Sequence, residues 1–360
     1  MFGLCCSTNA VDANAHINPA QPIGTQQSER VQSPNPIWRM LRPSPAPGVS
    51  RIQGFNGDHD AFIMAAANND LDEVNRLFQL GVDIDQADEW GRTAIDRAIY
   101  GGHLGVANRL VELGSNVNQS FSGELGRTLF MRAAAYSNNL DVLNMLVANG
   151  ASTEGVDEVG HTALSWAAFF GRIDVVSRLV ELGANIDHEM RDGTTSLMHI
   201  AQIGWLTRVE DLVALGANVH HVSNDGNNAL MMAASYGSTR VVNRFVDLGA
   251  NIHHVNRDGN NALMLAALHG HANCCLNVLN RLVELGANIH QVNNDGNNAL
   301  MLAASQGYLN GVNRLVELGA NIHHVNKNGD MALTLAASRG HLDVTYALLR
   351  ADPTVNGALP

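Results

Sequence analysis

The residues best able to do chemistry in this chain are its 16 histidines, and eight of them fall in register. His220, His253, His290 and His323 form one set, and His188, His221, His254 and His324 form a second beside it. Such an array invites a metal reading, because neutral imidazole is a common metal ligand. Geometry argues against it. Adjacent residues of an extended segment point to opposite faces. Equivalent residues of stacked units lie too far apart to share one ion with bonds of about 2 Å. We therefore expect no metal and no cofactor. The four cysteines form two vicinal pairs, Cys5-Cys6 and Cys274-Cys275, which is neither a zinc spacing nor a disulfide framework. A reducing compartment fits them, and Cys5 and Cys6 are candidates for S-acylation.

The elements that must position these residues follow from a repeat. Residues 225–256 read DGNNALMMAASYGSTRVVNRFVDLGANIHHVN, and residues 295–326 read DGNNALMLAASQGYLNGVNRLVELGANIHHVN. Gly193, Gly226 and Gly259 are 33 residues apart, as are Gly296 and Gly329. A fixed period in the thirties marks a stacked-repeat protein. In the copy at Gly226, Asn228 can cap a helix through its side-chain oxygen. Leu230, Ala233 and Ala234 line one face of that helix, and Gly237 breaks it. Val241, Val242, Phe245 and Val246 repeat with helical spacing on a second helix. Gly249 sits where a left-handed C-cap belongs, and an extended arm runs on to the Asp258-Gly259 turn. Two short helices and an arm cannot bury their apolar face alone, so neighbouring copies must supply the other side.

The unit resembles the ankyrin repeat. Its closest local match is Gly160-His-Thr-Ala-Leu-Ser-Trp-Ala-Ala168, followed by Val175-Val176 and Gly183-Ala-Asn-Ile-Asp187. The resemblance covers about residues 58–350 in nine copies. It implies an all-α ankyrin-repeat solenoid of helix-turn-helix units with short β-hairpin-like arms, and a non-enzymatic scaffold that binds a protein partner. The family's Thr-Pro-Leu-His becomes Asn-Ala-Leu-Met at 228–231, 261–264 and 298–301. Methionine cannot replace the hydrogen bonds of that histidine, so these turns are expected to lean more on packing. Family arms usually carry asparagine at the first histidine position, bonding between loops, and His220 and its equivalents can imitate it. The resemblance also makes Asn118, after Leu110 and Val117, the nearest match to an asparaginyl-hydroxylase site, although Asn116 stands where an acidic residue is preferred.

The chain has 360 residues and a formal charge of −12. Its charge argues against nucleic acid, which requires a basic face. No apolar run approaches the ~20 residues of a membrane span, and no secretory signal is evident. Residues 1–57 are rich in Pro, Ser and Gln and read as a disordered tail, with Ile37–Leu41 as its one apolar island. Residues 351–360 form a short C-terminal tail. Repeat three carries two extra residues near Ser120–Gly123. Repeat seven carries four extra residues that include Cys274-Cys275 and are expected between its helices. A single lysine, Lys327, and near-identical Asn-rich copies resemble effectors that intracellular bacteria deliver into host cytosol. The expected setting is therefore cytoplasmic, or bacterial secretion into a host, with the array monomeric. The alternative is an adaptor whose tail recruits an enzyme such as a ubiquitin ligase.

Columns of like residues carry the remaining expectations. Arg76, Arg109, Arg178, Arg244, Arg281 and Arg314 stand in line on the second helices. An acidic residue follows three positions on at Glu112, Glu181, Asp247, Glu284 and Glu317, giving a solvated charge ladder. The resemblance implies that the partner lies across the arms and the exposed ends of the first helices. There Tyr100, Tyr136, Phe169, Phe170, Ile203 and Tyr236 cluster, with Trp90 at the apolar end and Arg257 and Asp258 on a polar rim. Aromatic residues dominate interface hot spots. This places the expected site on repeats two to six of a concave face.

Overall fold

The computed structural model describes residues 57–121, 125–137, 139–270 and 274–352. Among them nine helix pairs follow one another. In repeats one to three these are Gly57–Ala67 with Leu71–Gln79, Ala94–Tyr100 with Leu104–Glu112, and Leu129–Tyr136 with Leu140–Ala148. Repeats four to six are Ala163–Phe170 with Ile173–Glu181, Ser196–Ile203 with Leu206–Ala214, and Ala229–Ser235 with Thr239–Asp247. Repeats seven to nine are Ala262–Leu268 with Cys274–Glu284, Ala299–Ser305 with Leu309–Glu317, and Ala332–Ser338 with Leu342–Ala351. First helices pack on first helices of the next repeat, and second on second, so the core is a continuous seam. Leu230, Ala233, Val242 and Phe245 are buried there, as the pattern of repeat six requires.

In repeats two to eight each first helix starts on a side-chain cap. Thr93, Thr128, Thr162 and Thr195 cap repeats two to five. Asn228, Asn261 and Asn298 take over in repeats six to eight, each accepting from the backbone N–H three residues on at 2.9 Å. The turn before the cap needs glycine. Gly226 has φ +79°, and a Cβ there would lie 3.2 Å from Asn256 Cα in the next arm. Gly249 closes the second helix at φ +83°, where Ala250 N–H donates to the Phe245 carbonyl.

The insertions behave differently from one another. Around the one in repeat three, strands β1 (Ser120–Phe121) and β2 (Arg127–Thr128) pair antiparallel, Ser120 opposite Thr128. In repeat seven the second helix is 11 residues long, against nine in repeat six. The insertion is therefore not wholly between the helices, because Cys274 and Cys275 form its extra half-turn and Cys275 is buried. Cys5, Cys6, Ile37–Leu41 and the tail readings lie outside the described residues.

The columns hold, with corrections. Arg109, Arg178, Arg281 and Arg314 pair with the acid three residues on at 2.8–3.2 Å. Arg76 turns back to Glu73, and Arg244 takes Glu210 of the preceding repeat at 3.5 Å instead of Asp247. The sequence reading missed the other half of this contact. Arg109, Arg178 and Arg281 each donate Nε–H to an asparagine of another repeat, Asn75, Asn144 and Asn243, at 2.6–2.9 Å. Arg314 does the same to Asn280. The pair-wise ladder is thus also a joint between repeats.

The histidine sets exchange roles relative to expectation. The set that bonds across arms is His188, His221, His254 and His324, whose Nε2 atoms lie 2.8–3.1 Å from the turn-glycine carbonyls of Gly160, Gly193, Gly226 and Gly296. A carbonyl can only accept, so each imidazole donates. The other set, from His220 to His323, faces solvent, since alternate residues of an arm point opposite ways.

Nor do the asparagine-capped turns rest on packing alone. Asn256, Asn293 and Asn326 are buried. The Asn293 side-chain oxygen accepts from the Asp295 and Asn297 backbones, while its Nδ2 donates to Asn260 Oδ1 at 3.0 Å. Asn256 and Asn326 repeat this pattern with Asn227 and Asn297 at 2.9 Å. A neutral amide ladder through repeats six to nine thereby replaces the missing histidine bonds.

Candidate functional site

The expected aromatic residues come together at the far ends of the first helices of repeats two to five. Tyr100 meets Tyr136 at 6.0 Å between ring centroids, and Tyr136 meets Phe170 at 5.1 Å. Phe170 meets Phe169 at 5.6 Å, and Phe169 meets Trp205 at 5.5 Å. These distances fall in the 4.5–7 Å range of favourable ring pairs. One ring chain therefore crosses four repeats. It arises because the helix ends one residue before, or at, the inter-helix turn in each copy, so equivalent side chains stack at the repeat spacing.

Exposure grades along the ridge. Tyr100 is 50 % exposed, whereas Tyr136, Phe169, Phe170 and Ile203 are half-buried. The other member of several helix-end pairs, Ala135, Gln202 and Ser235, is buried, so each of those repeats presents one side chain rather than two. Tyr236, 41 % exposed, lies beyond the ring chain in repeat six. Trp90 is 52 % exposed with Arg92 over its ring at 5.4 Å, but it sits on an arm before the cap Thr93. A seven-residue helix, about 10 Å long, separates that arm from Tyr100. Arg257 and Asp258 are exposed on the arm side of repeat seven, also away from the rings. The structure thus divides the expected site into an aromatic ridge and a polar arm face. Asn118 is exposed yet tied at both ends, donating to the Gly150 carbonyl at 3.0 Å and accepting from Ser152 N–H at 3.3 Å.

Two ridge residues escaped the sequence reading. Trp166 stacks beneath Phe170 at 6.2 Å, and Trp205 follows the turn at Gly204 with Arg208 over its ring at 3.8 Å. Trp166, four residues before Phe170 on one helix, was legible as its neighbour.

A polar seam supports the ridge from below. Arg127 lies over Trp166 at 3.5 Å and donates to the Tyr136 hydroxyl at 3.1 Å. Trp166 Nε1–H donates to Asp157 Oδ2 at 3.1 Å, and Asp157 Oδ1 accepts three backbone N–H groups. Burial pushes the Asp157 carboxyl up, but the hydrogen bond and charge of His161 with those backbone donors outweigh it, so it titrates below the usual range. His199 is pushed down to about 4, first by burial and then by the neighbouring His161. Arg132 and Asp96 form a buried ion pair at 2.9 Å nearby.

This seam does not have the order of a catalytic relay. Thr194 Oγ1 lies between Asp192 Oδ1 at 2.5 Å and His199 Nε2 at 2.9 Å. Its one hydrogen goes to the carboxylate, so His199 donates to the threonine rather than activating it. Among the described residues no three His, Cys, Asp or Glu side chains converge as a metal site.

Family comparison agrees with the stack. Residues 119–190, 197–281 and 273–357 match a family model described as ankyrin repeats in three copies, and residues 62–111 match one described as ankyrin repeats in many copies. The chain belongs to the ankyrin repeat family. Ankyrin repeats are in general protein–protein interaction modules, and proteins built from them are typically non-enzymatic binding scaffolds. No curated protein matched the chain. No described helix is long and apolar enough to cross a membrane.

Proposed function

We propose that this chain is a protein-binding scaffold whose partner docks on the aromatic ridge of repeats two to five. The observation that carries the proposal is the unbroken ring chain from Tyr100 to Trp205, exposed at its edge and fixed below by Arg127 and Trp166. Rings held in place lose little rotamer entropy on binding, which favours them as anchors. Tyr236 extends the ridge and Trp90 contributes from the arm. The delivered-effector expectation rests on the duplicated Asn-rich copies and the lone Lys327, and the docking proposal does not need it.

The test places a photoreactive phenylalanine at position 100 and, as a control, at Tyr346, which is exposed on the second helix of repeat nine. The expected result is a discrete cross-linked partner from position 100 that unlabelled protein competes away. Tyr100→Ala with Tyr136→Ala should cost that partner about 2 kcal/mol or more. Equal cross-linking from both positions, or a folded double variant with undiminished affinity, would refute the placement.

A further inference from the structure

The two ends of the described array are closed differently. At the N-terminal end the outer side is charged. Arg76 stands where the arginines of later repeats reach back to the repeat before. With no described repeat before it, Arg76 pairs with Glu73 at 2.6 Å. Asp70 is exposed at a position where its equivalent in repeat eight, Tyr308, packs on Gly270 of repeat seven. A polar outer face of this kind is what a terminal repeat needs in water.

The C-terminal end carries no such charge. Repeat nine follows repeat eight at an offset of 33 residues, from Gly296 to Gly329, which sets their side chains position against position. Leu300, Met301, Ala304 and Val312 of repeat eight are buried, whereas Leu333, Thr334, Ala337 and Thr345 of repeat nine are exposed or half-buried. Tyr346 belongs to the same face, because its equivalents Asn243 and Asn280 receive the arginine of the following repeat. In every earlier repeat that position holds asparagine, serine or glutamate. Tyr346 is 64 % exposed, and Leu342, one turn before it, is 66 % exposed. Repeat nine thus ends the described stack on an uncharged, largely apolar face rather than on a cap.

Charge and symmetry select what covers it. Head-to-tail stacking of two copies would bury Asp70, Glu73 and Arg76 against that face, and desolvating charge is costly. A two-fold contact avoids this, since the same uncharged patch meets itself. The second helix of repeat nine then crosses its symmetry mate antiparallel about Tyr346. In that register Asp343 of each copy lies within a residue of Arg350 of the other, so the rim is complementary in charge. The two helices have 7 and 10 residues. At their lengths and packing distance the face covers on the order of 300 Å², small beside a standard interface, so the contact is weak and concentration-dependent.

We propose that the C-terminal face of repeat nine is a homodimer interface. Two copies meet tail to tail through Leu333, Leu342 and Tyr346, and exchange Asp343–Arg350 ion pairs at the rim. The dimer takes the place of the monomer expected from the sequence. It also puts two aromatic ridges on one particle, which gives a partner with two docking segments a bivalent hold. That consequence rests on the ridge being the docking site, whereas the dimer itself does not.

The experiment is sedimentation velocity of the full chain from low micromolar to near-millimolar concentration. A reversible monomer–dimer equilibrium is expected, with no larger species. Tyr346→Asp, at an exposed position and with circular dichroism unchanged, should weaken the dimer roughly tenfold or more, because it sets two carboxylates together on the two-fold axis. Arg350→Glu should weaken it as well, and adding Asp343→Arg in the same chain should restore part of the loss. A photoreactive phenylalanine at position 346 should join one repeat nine to another and to no other protein, so it still serves as the control for position 100. A chain that stays monomeric throughout, whether this face is bare or covered by residues 353–360, would overturn the proposal. So would a dimer that survives Tyr346→Asp, or a ladder of species beyond the dimer.

Discussion

Replacing Asn293 tests whether the amide ladder holds the C-terminal repeats. The residue is buried and makes three hydrogen bonds, two accepted from the Asp295 and Asn297 backbones and one donated to Asn260. A net hydrogen bond is worth about 1 kcal/mol, and donors left buried raise the cost. Asn293→Ala should therefore destabilise this joint by about 3 kcal/mol, or roughly a hundredfold in its opening constant. Other repeats show what the position tolerates. Ser223 stands there in repeat six and accepts one backbone N–H, and Asp157 in repeat four accepts three. Asn293→Ser should lose about half as much. Asn293→Asp should lose about 1 kcal/mol, because Asn260 can flip and donate to the new carboxylate. Long arrays need not unfold in one step, so the assay is hydrogen exchange read repeat by repeat. Protection should fall across residues 288–330 and stay unchanged in residues 94–148. An alanine variant within about 0.5 kcal/mol of wild type would show that packing alone holds these turns.

Three further outcomes are expected. His199 binds its proton more weakly folded than unfolded, since its folded pKa is about 4 against 6.5. Stability should thus be full above pH 6.5 and fall as the pH drops toward 4, by at most about 3 kcal/mol, and His199→Gln should flatten that slope in thermal melts. An unchanged slope would remove His199 from the account. Arg132→Ala removes the guanidinium paired with the buried Asp96 carboxylate and should cost about 3–5 kcal/mol, whereas Arg132→Ala with Asp96→Ala should recover part of it. If the double variant is no more stable than the single, the ion pair is not what Arg132 contributes. Limited proteolysis should trim the chain to a stable fragment beginning near Asp58, and a first fragment starting inside repeat two would move the boundary.

Repeat count, helix order and capping were legible because each depends on residues close together in sequence. The 33-residue glycine period, Asn228 and its equivalents, and Gly249 all act within a few bonds of themselves. What escaped depends on the neighbouring copy. Arg244 turns to Glu210 because repeat five has that acid where other repeats carry asparagine, and no rule of helix spacing reaches 34 residues back. The histidine sets were reversed for a similar reason. Alternation predicts that His220 and His221 face opposite ways, but only the docked arm decides which one finds a glycine carbonyl. At the candidate site, the rings were found from their place before each inter-helix glycine. Their grading from exposed Tyr100 to half-buried Phe170 follows from Trp166 and Arg127 packing beneath them, and the polar arm face is separate because a whole helix intervenes.

The asparagine–arginine contacts on the second helices bear on how such a chain changes length. Each of several copies carries a plug, the arginine, and a socket, the asparagine before it. Arg281 enters the socket of repeat six at Asn243, and Arg314 enters that of repeat seven at Asn280. Excising residues 259–295 would remove one plug together with one socket, and Arg314 would face Asn243 in the geometry Arg281 now has. Unequal recombination between near-identical copies could therefore add or subtract whole units without creating a mismatched joint. Repeats four and five lack this interchangeability, since Ser177 stands at the socket of repeat four, Glu210 and Asp211 stand at the socket and plug of repeat five, and the aromatic ridge is not periodic. The C-terminal half of the molecule is built to vary in number, and the N-terminal half to be kept.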